Sequence, residues 1–179
     1  MEARNFKRII HTSSPDRGLE HLLKMWPDVK KDVPEAELYV AYGFQLFDRM
    51  HHDNPGAMQW KDNMLKMMGY EGITDHGRLA QPELEKLMRT CAVWAYPTHF
   101  GEINCISALK AQAFGCTPVV INYAALKETV TYGVKVNGDI YDEKTQEIYK
   151  DVLITVLKNP QEEAEREKMM KEYQEKYAW

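Results

Sequence analysis

The feature that most constrains this chain is an alternation. Short, continuous apolar runs that read as strands are each followed by a stretch with helical spacing. The runs are "FKRIIHTS" (6–13), 37–42 in "PEAELYVAYGF", "GITDHGRL" (ending near residue 79), "AVWAYPT" (92–98), "CTPVVIN" (116–122) and a last strand or turn, "YGVKVNG". Between them, "DRGLEHLLKMWPDV" spaces Leu19, Leu22, Leu23 and Trp26 on one helical face, and "NPGAMQWKDNMLKMMGY" carries Met64, Met67 and Met68 as core filler. "AQPELEKLMRTC" places Pro82 where a first-turn proline belongs. Residues 103–114 read as a helix stopped by Gly115, "AALKETV" as a short helix, and 141–179 as helical with a break at "KNP". Five or six such strands alternating with helices imply a doubly wound, Rossmann-like parallel sheet covered on both faces.

Composition narrows the class. A net charge of −4 without a basic stripe argues against a nucleic-acid binder. No apolar run approaches the roughly 20 residues that span a bilayer, and the N-terminus has no signal-type apolar region. Cys91, Cys105 and Cys116 lack C-x-x-C spacing and sit in apolar segments, which reads as buried reduced thiols of a cytoplasmic protein. "HHD" (51–53) has metal-compatible side chains but reads as a solvated loop. The charged run "QEEAEREKMMKEYQEKY" reads as a solvated helix with i,i+4 pairs. No G-x-G-x-x-G and no P-loop occurs, and no nucleophile–base pairing is visible.

Ligands of such sheets bind beyond the carboxyl ends of the strands, at the topological switch point. Three segments lie on that rim: "HTSSPDRG", "GRLAQPE" and "PTHFGEIN". In the first, Ser13 and Ser14 offer hydroxyls, Gly18 permits close backbone approach and Arg17 brings a planar cation suited to phosphate; the same pattern also fits an ordinary helix N-cap with a solvated arginine. In the third, the helix expected to begin over Ile103–Ile106 turns amide groups toward an anion, while Glu102 beside it suits hydroxyl groups, or a simple first-turn acid.

The quoted pieces "DRGL" (16–19), "GRLAQPELEKLMRTCAVWAYPT" (77–98) and "EINCISALKAQAFGCTPVV" (102–120) resemble, in order and spacing, the C-terminal, donor-binding half of a GT-B glycosyltransferase of the large retaining family 4. The resemblance implies a nucleoside-diphosphate sugar as substrate and no catalytic metal. It implies that Arg17 contacts the donor diphosphate, that the backbone at Asn104, Cys105 and Ile106 meets the distal phosphate, and that Arg78 and Leu79 line the nucleobase. Glu102 corresponds to the first glutamate of the family's E-x(7)-E motif and faces the transferred sugar; Arg17 and Glu102 are thus the catalytic candidates. His99, on the same loop, either contacts the donor sugar or phosphate or only holds the loop.

Two positions depart from the family. Thr12 stands where members often carry a further arginine, and Lys110 replaces the second glutamate, which accepts hydrogen bonds from the ribose. A lysine has three donors and no acceptor. Three roles are open to Lys110: replacing the phosphate charge missing at Thr12, donating to the ribose, or forming a structural ion pair in a site that has lost its donor. A non-catalytic scaffold and a nucleotide-sugar 2-epimerase are the competing readings. The resemblance further implies one Rossmann-like domain over 1–158 and a helical segment over 159–179 that begins, at "KYAW", to cross to an N-terminal acceptor domain. Nothing in the sequence corresponds to that acceptor domain, so the isolated chain is expected to be inactive.

Overall fold

The computed structural model describes residues 3–177. Ala178 and Trp179, the end of "KYAW", lie outside the described residues. Six parallel strands, β1 (Asn5–His11), β2 (Glu37–Val40), β3 (Ile73–Asp75), β4 (Cys91–Tyr96), β5 (Thr117–Ile121) and β6 (Val134–Val136), form one sheet in the order β3-β2-β1-β4-β5-β6. The helices are α1 (Leu19–Asp32), α2 (Gln45–His51), α3 (Pro55–Met68), α4 (Gln81–Arg89), α5 (Ile106–Ala113), α6 (Leu126–Thr129), α7 (Glu143–Lys158) and α8 (Glu163–Tyr177).

The central strands are apolar on both sides because both sides are covered. Ile9, Val93 and Val119 join one core with Leu22, Trp26, Met64 and Leu153 from α1, α3 and α7. Their neighbours Ile10, Trp94 and Val120 point the other way, into a second core with Met88 of α4, Leu109 of α5 and Met169 and Tyr173 of α8. The period of two along each strand therefore sorts adjacent residues into two cores. α8 packs on α5, where the Gln174 amide donates to the Ala113 carbonyl at 2.8 Å and the Tyr173 hydroxyl donates to the Thr129 carbonyl at 3.0 Å.

At the amino end of the sheet, arginines hold backbone carbonyls. Arg4 donates to Cys91 and Phe114, and Arg166 donates to Gly115 and, at 3.5 Å, to Ala92. Arg8 donates to the Glu37 carboxylate at 2.6 Å and to the Thr90 hydroxyl at 3.0 Å.

Four local expectations differ. α2 was not anticipated, and it buries none of its residues, so no apolar stripe announced it. Its last residue is His51, which leaves only His52 and Asp53 of "HHD" in a turn, paired at 3.0 Å. β3 stops at Asp75 rather than near 79, and α5 begins at Ile106 rather than Ile103. Ile103 is 97% exposed, so its apolar spacing with Ile106 reflects the rim and not a core-facing turn.

Candidate functional site

β1 and β4 lie side by side at the centre of the sheet, and the chain leaves them in opposite directions. The crevice between their carboxyl ends is the topological switch point. The segment after β1 and the segment after β4 meet there. Gly18 has φ 104°, and a Cβ built on it would overlap the Pro97 carbonyl oxygen and come within 2.8 Å of its carbon. Only glycine allows this approach. The Arg17 amide donates to the Ser14 carbonyl at 2.9 Å, closing the turn that delivers the chain to α1. Neither α1 nor α5 has a side chain capping its N-terminus, and both begin on this rim.

A polar relay crosses the crevice. The Ser13 hydroxyl donates to the Tyr96 hydroxyl at 3.2 Å, and Tyr96 donates to the Glu102 carboxylate at 2.7 Å. The same Glu102 oxygen lies 3.5 Å from the Arg17 guanidinium, which in turn sits 3.8 Å over the Phe100 ring. Burial is the main cause that raises the Tyr96 phenol above its usual range, so it remains a donor to Glu102 at all ordinary pH. The structure thus gathers Ser13, Arg17 and Glu102. Ser14 lies in the same turn with its carbonyl engaged.

The residues of the second expected phosphate contact are arranged differently. Asn104 precedes α5, Cys105 is its N-cap, and the Ile106 amide donates to the Asn104 carbonyl at 3.2 Å. Cys105 is buried, and burial raises its thiol to about 11. Phe100, Ile103 and Ile106 leave an exposed apolar border beside the relay.

Lys110 lies apart from that relay. Its ammonium donates to the Gln81 side-chain carbonyl and lies 3.9 Å from Glu85, both on α4. α4 follows the loop that carries Arg78 and Leu79, so Lys110 stands beside that loop. Arg78 is exposed, with its guanidinium 5.8 Å from the Tyr42 ring centre. Thr12 is buried and accepts a hydrogen bond from the Trp94 indole at 2.9 Å.

His99 sits on the opposite flank, its ring 4.9 Å from that of Tyr141 and 6.2 Å from that of His21. With Thr98, Tyr123 and Asp139 it lines a cavity of about 340 Å³. No group of three or more metal-competent side chains is gathered among the described residues.

Sequence reasoning missed three contributors. Tyr96 read only as a strand residue, and Phe100 only as part of a loop. His11, fully buried at the end of β1, donates through Nδ1 to the Ala95 carbonyl at 3.1 Å, while its Nε2 has no partner among the described residues. Burial lowers its pKa to about 4, which keeps it neutral. A histidine closing an apolar strand was the one available signal.

No match was found among curated proteins. Solved structures share the fold. The chain is similar to the pneumococcal O-GlcNAc transferase GtfA, solved with UDP and GlcNAc (TM-score 0.68, 14% identity, covering 98% of this chain and 35% of that one). It is similar to Anabaena HepE, solved with UDP and glucose (0.72, 14%, 96% and 44%), and to sucrose-phosphate synthase from Thermosynechococcus elongatus (0.70, 17%, 94% and 39%). The chain therefore spans less than half the length of each. The sheet and its helices are the Rossmann-like fold of GT-B glycosyltransferases. The glycosyl transferases group 1 profile matches residues 5–177, and the chain belongs to that family.

Proposed function

We propose that this domain binds a nucleoside-diphosphate sugar for transfer, with retention, to an acceptor. The observation that carries this reading is the Arg17–Glu102 pair at the switch point, with Glu102 held from below by Tyr96. Donor binding exchanges this pair. The guanidinium turns to the diphosphate, and the carboxylate, still fixed by Tyr96, accepts hydrogen bonds from sugar hydroxyls. Negative charge growing on the leaving diphosphate is stabilised by Arg17 and by the uncapped start of α1, without a catalytic metal.

UDP is the favoured donor nucleotide, because GtfA and HepE were solved with it. Arg78 and Leu79 line the base. Lys110 acts on the ribose side, since its partners Gln81 and Glu85 belong to the helix after that loop. His99 flanks the sugar. The acceptor hydroxyl attacks from an N-terminal domain outside this chain, so the isolated chain is inactive, and turnover by it contradicts this part of the reading. The buried thiols fit a reducing, cytoplasmic setting. A second reading, a scaffold domain that has lost its donor, is favoured by the engagement of Lys110 with α4.

Calorimetric titration with UDP, GDP and ADP tests both. We expect UDP to bind in the micromolar to millimolar range, and Arg17→Ala to weaken it at least about tenfold. Lys110→Glu should strengthen binding, because it restores a ribose acceptor. Weakening by Lys110→Glu places the ammonium at the phosphates instead. Absence of binding by every nucleotide favours the scaffold.

A further inference from the structure

A second cavity, of about 250 Å³, opens beside the rim and shares His99 and Tyr141 with the first. Asp16, Glu20, His21 and Trp60 also line it. A third, of about 440 Å³, shares Glu20 and Trp60 with the second and continues between α1 and α3, past Lys24, Asn63, Lys66 and Tyr70. The three form one trough, from the loops after β5 and β6 to the outer face of the α1/α3 pair.

Its lining combines rings with hydrogen-bonding groups. Tyr141, His99, Trp60 and Tyr70 offer aromatic surface, and Asp16, Glu20, Asp139 and Asn63 line the same cavities. Three carboxylates (Asp16, Glu20, Asp139) against two ammonium groups (Lys24, Lys66) leave no positive excess that would select an anionic chain. The platform is preorganised. The Trp60 indole donates to Glu20 at 2.7 Å, its ring packs 5.1 Å from Phe47, and the other Glu20 oxygen pairs with Lys24 at 2.6 Å. Flat rings that stack on C–H faces, together with carboxylate acceptors, ammonium donors and an amide that does both, recognise a polyhydroxylated chain without net charge.

We propose that this trough binds a neutral oligosaccharide, laid from the sugar-transfer crevice along α1 to Tyr70. This rests on the glycosyltransferase reading and extends it: the acceptor, or the product leaving the crevice, is a glycan chain several residues long, and part of it is held by this domain.

The test follows the indole N–H resonances of the ¹⁵N-labelled chain, with Trp60 assigned through Trp60→Phe, during titration with maltopentaose, cellopentaose and mannopentaose. At least one pentasaccharide should shift the Trp60 resonance saturably, and Tyr70→Ala and Asn63→Ala, both surface changes, should each weaken it about tenfold. A Trp60 resonance unmoved by all three sugars overturns the proposal, as does affinity unchanged in both variants. UDP titrated into the same samples reads the donor site separately: UDP binding without sugar binding sinks the trough alone, and a Trp60 shift caused by UDP assigns the trough to the nucleotide.

Discussion

At the amino end of the sheet, Arg4 and Arg166 are committed to backbone carbonyls of β4, α5 and their junctions, and Arg166 is only 3% exposed. At the carboxyl rim, Arg17 is held by one carboxylate at 3.5 Å and one ring, and its side chain is about a third exposed. Residue type is the same at both ends; commitment is not. A cation whose donors are used by main chain is part of the framework. One held only by partly exposed side chains can change partners for an anion.

Breaking the framework cation should have the largest effect. Arg166→Ala leaves the Gly115 and Ala92 carbonyls without their donor and opens a cavity beneath α8. Stability should fall by about 4 kcal/mol in urea unfolding, with UDP affinity unchanged in the folded fraction. Arg17→Ala should do the reverse, costing less than about 1 kcal/mol of stability while weakening UDP. Equal stability losses would erase the distinction between the two ends.

The rim has its own framework beneath the exchangeable pair, and acid tests it. His11 binds protons at about 4 in the fold and near 6.5 when unfolded, so the unfolded state takes up more protons between those values. Stability should therefore fall as pH drops from 6.5 to 4, by roughly 3 kcal/mol in total from this residue. Unfolding midpoints measured across that range should flatten in His11→Gln; an unaltered slope assigns the acid sensitivity elsewhere, to His21 or His76, whose values are also lowered by burial.

A last, small effect sharpens the comparison. Tyr96→Phe removes the donor that holds Glu102 and should cost about 1 kcal/mol. UDP should bind as before, while the extra affinity of a UDP-sugar over UDP should shrink. Equal losses for both ligands would move Tyr96 from the sugar side to the phosphate side.

The sheet was legible because burial on two faces writes itself as continuous apolar runs: Ile9 and Ile10, Val93 and Trp94, Val119 and Val120 are adjacent in sequence and belong to opposite cores. The rim was harder. Arg17 and Glu102 were visible through charge and spacing, but the hydroxyl that joins them to Ser13 belongs to Tyr96, whose ring satisfies the strand pattern without revealing where its oxygen ends. The start of α5 was set too early because nothing in the sequence separates Ile103, an exposed loop residue, from a helix's first turn. Lys110 was identified as a departure, yet its partners lie 29 and 25 residues away on α4, a separation that no local pattern encodes.

Gly18 touches the carbonyl of Pro97 through the space that a side chain would fill. The loops after β1 and β4 thereby share one tolerance: a substitution at position 18 displaces not one loop but both walls, and with them the spacing of Arg17 from Glu102. The site's calibration resides in an atom that the chain omits, and mutational repair at the charged residues would not restore it.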